Sequence, residues 1–162
     1  MKNSDKFISG LTIDKPALFL PWGVMEGEIS ALLNGYEYQK VTEHYYIMTV
    51  TIFDEFYHGC LGLHFDMEGK LSTLELFRPG RDYSDDKTVF DMFGKEQRML
   101  ESYLGKPSKS ASIFHTLALT KFGRNSRGFI WNFKNVKVIH NVWERFGLEE
   151  HLEIIIKPKN RQ

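Results

Sequence analysis

Two histidines and a carboxylate in one short segment are the residues best placed to do chemistry. His58, His64 and Asp66 occupy even positions of an alternating segment, so on a β-strand their side chains would share a face. Imidazole and carboxylate groups on one face suit a metal site or an acid–base pair. The odd positions between Leu61 and Phe65 are apolar and would be buried. The favoured interpretation is therefore a solvated outer face, and a metal site or an enzyme using these residues is the alternative.

Three other arrangements offer weaker chemistry. Cys60 lies two residues from His58, but a single cysteine on a strand is more often a small buried side chain than a nucleophile. His140 and Glu144 share a face of another predicted strand, where a polar outer face is favoured over acid–base catalysis. Segment 121–128 is rich in Gly and Arg, yet no phosphate-binding motif is present. We therefore predict no catalytic residue, metal or cofactor, and a protein that is not an enzyme.

Composition narrows the classes of function further. The chain of 162 residues has 21 basic and 21 acidic side chains, which argues against a direct nucleic-acid binder because such proteins carry a basic excess. Near-zero net charge gives little repulsion between copies, so a homodimer stays open. The single cysteine predicts a reducing compartment. No signal-peptide core or membrane-length apolar run is seen, so we predict a cytoplasmic protein without membrane association.

The elements that would position these groups are helices and antiparallel strands. Apolar spacing of three or four residues predicts helices, and strict alternation predicts strands. Short turns between neighbouring strands favour antiparallel pairing. The predicted helices cover 25–33 and 89–104, and the predicted strands cover 45–53, 58–66, 71–77, 112–119, 129–133, 136–146 and 151–157.

The order of a helix followed by several strands occurs twice. A polar, turn-rich segment, 79–88, separates the two occurrences. We therefore predict an α+β fold in which two helix-plus-antiparallel-sheet halves, 16–79 and 89–158, are merged into one domain, 1–162. A true duplication and a chance repetition of the order are equally compatible with the sequence.

Aromatic side chains are the best indication of function. They make up 14% of the chain, and Tyr and Trp often dominate protein interfaces. Acidic residues at a predicted turn would add electrostatic steering toward a basic partner. The residues that we predict to contact a partner are Trp22, Tyr45, Asp54, Glu55, Phe56 and Tyr57.

Several segments carry a resemblance to a known class of proteins: LPWG at 20–23, GLHF at 62–65, LELFRP at 74–79, LESYLGKP at 100–107 and ERFG at 144–147. The layout resembles small bacterial immunity proteins, the cytoplasmic antitoxins encoded beside contact-dependent or secreted toxins. The doubled plan is also similar to the tandem β-lactamase inhibitor protein scaffold, from which the lack of disulfides departs. The resemblance implies a non-catalytic protein that blocks one cognate toxin, and it assigns no binding residue. A small-ligand-binding domain, with a pocket lined by Phe and Trp between sheet and helices, is the alternative.

Overall fold

The computed structural model describes residues 7–79, 86–111, 128–144 and 148–158. Its strands are β1 (Gly10–Lys15), β2 (Leu18–Pro21), β3 (Tyr38–Thr42), β4 (Tyr45–Ile52), β5 (Tyr57–Phe65), β6 (Leu71–Phe77), β7 (Lys109–Ala111), β8 (Gly128–Asn132), β9 (Val136–Glu144) and β10 (Leu148–Ile156). A short 3-10 helix, Glu26–Glu28, leads into helix α1 (Ile29–Leu32), and helix α2 covers Asp86–Leu104. None of the helices in these ranges has the length and apolar character needed to cross a bilayer.

The ten strands of the described ranges belong to one antiparallel sheet. Its order is β2-β1-β4-β5-β6-β10-β9-β8-β7, and β3 also pairs with β4. One edge of β4 therefore pairs with two different strands. Ile52, at its end, pairs with β1, and Met48 pairs with β3. Strand β10 pairs with β6 on one side and β9 on the other, and so joins the two parts of the sheet.

The predicted α+β class with two helix-plus-sheet halves is wrong, because the protein is dominated by this single sheet. Strands β6 and β10, one from each predicted half, are neighbours in it. The first predicted helix, 25–33, contains only a 3-10 turn and the four-residue α1. Its apolar spacing is real, since Ile29 and Leu33 are buried, but one helical turn is enough to bury them. Whether 16–79 and 89–158 reflect a duplication remains a prediction.

The two faces of the sheet differ in what covers them. Met48, Leu61, Leu76 and Leu152 are successive cross-strand partners, and all four are buried. We call their side of the sheet the inner face. Helix α2 packs on it, as the stacking of Phe93 on a β9 side chain shows. The opposite side is called the outer face.

Much of the predicted alternation is confirmed. The β5–β6 hairpin and the burial of Leu61 and Phe65 are as predicted, and α2 begins three residues before the predicted helix. The predicted strand 112–119 lies outside the described residues, as do the side chain of Glu144 and all of the 121–128 loop except Gly128.

Candidate functional site

The outer face carries a group of phenol, imidazole and carboxylate side chains. Tyr45 on β4 is the cross-strand partner of His64 on β5, and Glu75 on β6 is the partner of Glu153 on β10. His151 lies two residues before Glu153, so its side chain points to the same face. We call these five residues the outer-face cluster. The members lie on four strands, β4, β5, β6 and β10. The fold of the sheet therefore brings together residues that are far apart in the sequence.

Tyr45 is fixed in place by its neighbours. Its ring stacks on His64 with the centroids 4.2 Å apart and the planes 17° from parallel. The ring also lies over Gly62, where a Cβ atom would come within 2.9 Å of Tyr45 side-chain atoms. Burial, followed by the nearby Glu75 and Cys60, raises the pKa of the Tyr45 hydroxyl. Glycine at position 62 therefore allows the aromatic ring to lie flat against the sheet.

The Glu75 carboxylate lies between two imidazole rings. One oxygen is 3.2 Å from Nε2 of His64, and the other is 3.7 Å from Nε2 of His151. Burial lowers the pKa of His151 despite the opposing effect of Glu75. His151 is therefore neutral at about pH 7, since an ordinary histidine already titrates below this.

Glu153 places a second carboxylate directly opposite Glu75. Burial and then the charge of Glu75 raise the pKa of Glu153, and Lys137 acts in the opposite direction. Like charges on directly opposed residues destabilise a sheet. The cluster therefore holds two carboxylates that repel each other, with Lys137 and His64 acting against this repulsion at Glu153; a cationic group from another molecule would relieve it further.

The residues predicted for an enzyme do not converge. Nδ1 of His58 is 2.9 Å from the Thr51 hydroxyl, whereas His64 contacts Glu75. Asp66 accepts hydrogen bonds from backbone N–H groups in the β5–β6 turn. Each group thus has a separate structural partner. Cys60, which the sequence offers as a possible nucleophile beside His58, is half-buried on the outer face.

The six predicted contact residues lie in three different environments. Trp22 is buried and its indole N–H donates to the Phe7 carbonyl at 3.0 Å. Tyr57 is buried as well, with the Arg78 guanidinium 4.5 Å from its ring centroid. Phe56 is half-buried and packs against the core. Trp22 and Tyr57 are therefore core residues that present little surface to a partner, and Tyr45 belongs to the outer-face cluster.

Asp54 and Glu55 are exposed in the turn between β4 and β5. They and Phe53 adopt left-handed backbone conformations, with φ of 63° at Phe53, 56° at Asp54 and 65° at Glu55. Burial of the Phe53 ring offsets the strain. The Glu55 N–H donates to the Asp14 carboxylate at 3.0 Å, and the Glu55 carboxylate pairs with Lys15 at 2.8 Å. Strand β1 therefore holds this acidic turn in place.

A second group of polar side chains is buried between α2 and the inner face. We call it the buried polar cluster. Its buried members are Glu96, Gln97, His140 and Glu150, and the half-buried Arg78 completes it. Donor atoms of Glu96, His140 and Glu150 lie within 4.8 Å of one another, a spacing that could hold a metal ion. The Arg78 guanidinium, however, contacts Glu96 and is 3.6 Å from Glu150. It already supplies a cation to both carboxylates, so we interpret the group as an ion-pair network.

Of the members of the two clusters, sequence reasoning identified Tyr45, His64 and His140. The polar outer face favoured for His140 is wrong, because His140 is fully buried on the inner face. Glu75 and Glu153 each occupy an outward-facing position of their own strand. Only the register between β6 and β10 places them opposite each other. For the buried polar cluster a signal was available. His140 alternates with Val138 and Val142, so it occupies a buried position of β9. A polar residue at such a position requires a partner.

Aromatic side chains occupy part of the space between α2 and the sheet. Trp131 and Phe93, of the types predicted to line a ligand pocket there, are buried in the packing. The indole N–H of Trp131 donates to the Gly105 carbonyl at 2.7 Å, just after α2 ends. The small-ligand alternative remains a prediction.

Comparisons with known proteins show no family for this chain. No protein-family model matches it, and no curated protein matches it. One similar solved structure is that of a DUF4309 family protein (YjgB) from Bacillus subtilis subsp. subtilis str. 168. The two chains are 14% identical, and the match covers 91% of this chain and 83% of that chain with a TM-score of 0.42. Similarity at this level carries no argument about function.

Proposed function

We propose that this chain is a non-catalytic protein-binding module that neutralises a cognate bacterial toxin, and that the outer face of the sheet is its docking surface. The outer-face cluster is the observation that carries the proposal. In the described ranges, α2 packs on the inner face and Ile29 of α1 belongs to the same core. The aromatic and charged groups of the cluster are therefore left on the side of the sheet that these helices do not cover.

The composition of this surface supports protein binding. Ile47, Phe77 and Ile155 are half-buried and have the same strand parity as the cluster. They provide apolar area around polar groups, as in the centre of a protein interface. Tyr45 is held by the His64 stack over Gly62, so little conformational entropy would be lost on binding. Preorganised tyrosine side chains of this kind are frequent binding hot spots.

The charge of the cluster favours a particular kind of contact. Glu75 and Glu153 are cross-strand partners, and their repulsion would be relieved by a Lys or Arg side chain of the toxin. Such a contact strengthens steering and specificity, and salt weakens it. Occlusion of a basic active-site region, without chemistry in this chain, would then block the toxin. Asp54 and Glu55 remain candidate contacts because they are exposed. The single cysteine is in keeping with action in the cytoplasm.

The test uses the product of the gene immediately upstream. The two proteins are co-expressed, co-purified and examined for protection of growth against that product. Tyr45→Ala should weaken binding at least about tenfold, because truncation of a hot-spot aromatic residue costs about 2 kcal/mol or more, and about 1.4 kcal/mol already corresponds to tenfold. Met67→Ala is the matched control, since Met67 is 89% exposed in the turn after β5.

Two results would count against the proposal in different ways. A chain that neither binds the upstream product nor protects against it excludes the toxin-neutralising role. The second result is that the wild-type protein binds the upstream product and Tyr45→Ala binds it as tightly as Met67→Ala does. The interface would then lie elsewhere than on the outer face.

A further inference from the structure

The hydrogen bonds of His140 define which of its nitrogens carry protons. Nδ1 is 2.8 Å from Oε1 of Gln97, and Nε2 is 2.8 Å from Oε1 of Glu150. The Gln97 amide nitrogen donates to Glu101 at 2.8 Å, so the Gln97 oxygen is the atom that faces His140. Because an amide oxygen only accepts, Nδ1 must carry a proton.

The contact of Nε2 with Glu150 then needs a second proton. A neutral imidazole protonated at Nδ1 has a lone pair at Nε2. That lone pair would face an ionised carboxylate oxygen at 2.8 Å, which is repulsive. The distance is that of a charge-assisted hydrogen bond with a proton between the two atoms.

The charges of the buried polar cluster also indicate one additional proton. Arg78 contributes one positive charge, and Glu96 and Glu150 contribute two negative charges. An uncompensated charge in the interior is costly. One added proton makes the cluster neutral, whereas a divalent metal ion would leave it positive.

We propose that His140 is held as an imidazolium by Glu150, and that this buried proton is required for α2 to dock on the sheet. The proposal is independent of the proposed function. Glu150 is the proton's partner because Arg78 lies near its other oxygen and favours the carboxylate form. The Phe93 ring stacks on His140 with centroids 4.3 Å apart, which also favours the cation.

The described groups that face His140 come from four elements. Besides Phe93, they are Glu96 and Gln97 from α2, Arg78 beyond the end of β6, Glu150 from β10, and Phe129 from β8, which is the cross-strand partner of His140. Glu101, also on α2, accepts a hydrogen bond from the Gln97 amide. Two of the groups in contact with His140 or Arg78 are carboxylates and one is a guanidinium, so the protonation state of His140 sets the net charge of the group.

Nitrogen chemical shifts of labelled histidine in the full chain test the proposal directly. At about pH 7.5, where an ordinary histidine is neutral, both ring nitrogens of His140 should still carry protons. In Glu150→Gln, the amide can donate to an unprotonated Nε2, so His140 should become neutral while Arg78 and Glu96 still balance each other. A neutral His140 in the wild-type protein at this pH would overturn the proposal.

The pH dependence of unfolding gives a second readout. Above about pH 7 the unfolded histidine is neutral while the folded protein keeps its proton, so the equilibrium constant for folding should fall about tenfold per pH unit. Glu150→Gln should remove this slope, and His58→Gln, altered at an exposed position, should retain it. Equal slopes in wild type and Glu150→Gln would contradict the proposal.

Zinc addition separates a proton from a metal ion. Addition of Zn²⁺ at about pH 7.5 should raise the melting temperature of the wild-type protein by no more than it raises that of His140→Gln. A zinc-dependent stabilisation that disappears in His140→Gln would overturn the proposal, because a metal ion would then be the bridging cation.

Discussion

Replacement of Glu153 by glutamine should stabilise the protein while weakening the proposed docking surface. The substitution keeps the shape of the side chain and removes the charge opposite Glu75. Cross-strand like charges cost about 0.2–1 kcal/mol. Loss of the attraction to Lys137 and screening by water reduce the benefit. We expect a gain of about 0.5 kcal/mol in the free energy of unfolding, or about 1–2 °C in melting temperature for a domain of this size.

The size of this gain in stability depends on pH. Burial and Glu75 raise the pKa of Glu153 above its ordinary value of 4.5, so ionisation is harder in the folded state than in the unfolded state. The cost is present at neutral pH and disappears as the pH falls below 4.5, where both states are protonated. The gain from Glu153→Gln should therefore be seen at about pH 7 and be lost by about pH 3.5.

Urea unfolding at the two pH values, followed by circular dichroism, measures the gain. Glu43→Gln is the control, because the Glu43 side chain is 85% exposed and its loss should change little. Binding to the toxin should weaken in Glu153→Gln and not in Glu43→Gln. A gain that persists at low pH, or no gain at neutral pH, would refute the electrostatic reasoning.

Two further predictions concern the framework of the fold. Trp131→Phe should lower the free energy of unfolding by about 2–4 kcal/mol, because it leaves a gap and removes the donor to the Gly105 carbonyl; a loss below about 1 kcal/mol in urea unfolding would contradict this packing. Glu55→Gly should be more stable than Glu55→Ala by about 1 kcal/mol, because both variants lose the Lys15 pair but only glycine accepts the left-handed conformation without strain. The reverse order in thermal unfolding would argue against the left-handed turn.

The long strands and the long helix could be predicted because their patterns are local. Strand β5 alternates apolar and polar residues over its length, and α2 repeats apolar residues on one side. Neither β1 nor β3 is among the strands predicted from the sequence. Strand β3 is mostly exposed and lies on one edge of β4. Its formation thus depends on a neighbour more than on its own sequence.

The sites were less predictable than the strands. Tyr45 was identified because an aromatic residue at an outward position is visible in the sequence. The cross-strand contact between Glu75 and Glu153 joins distant parts of the chain, and no local pattern encodes it. The prediction of Trp22 and Tyr57 as contacts failed to anticipate their burial, because the aromatic excess serves the core as well as the surface.

The position of β10 has a consequence for synthesis on the ribosome. This strand fills the gap between β6 and β9, yet it is translated after every other described strand. Until it emerges, the hydrogen-bonding edge of β6 lacks its native neighbour, and pairing between residues so distant in sequence is slow. An unprotected edge of this kind can recruit a strand from another nascent chain. Chaperone dependence and expression temperature should therefore affect the yield of this protein more strongly than its final stability would suggest.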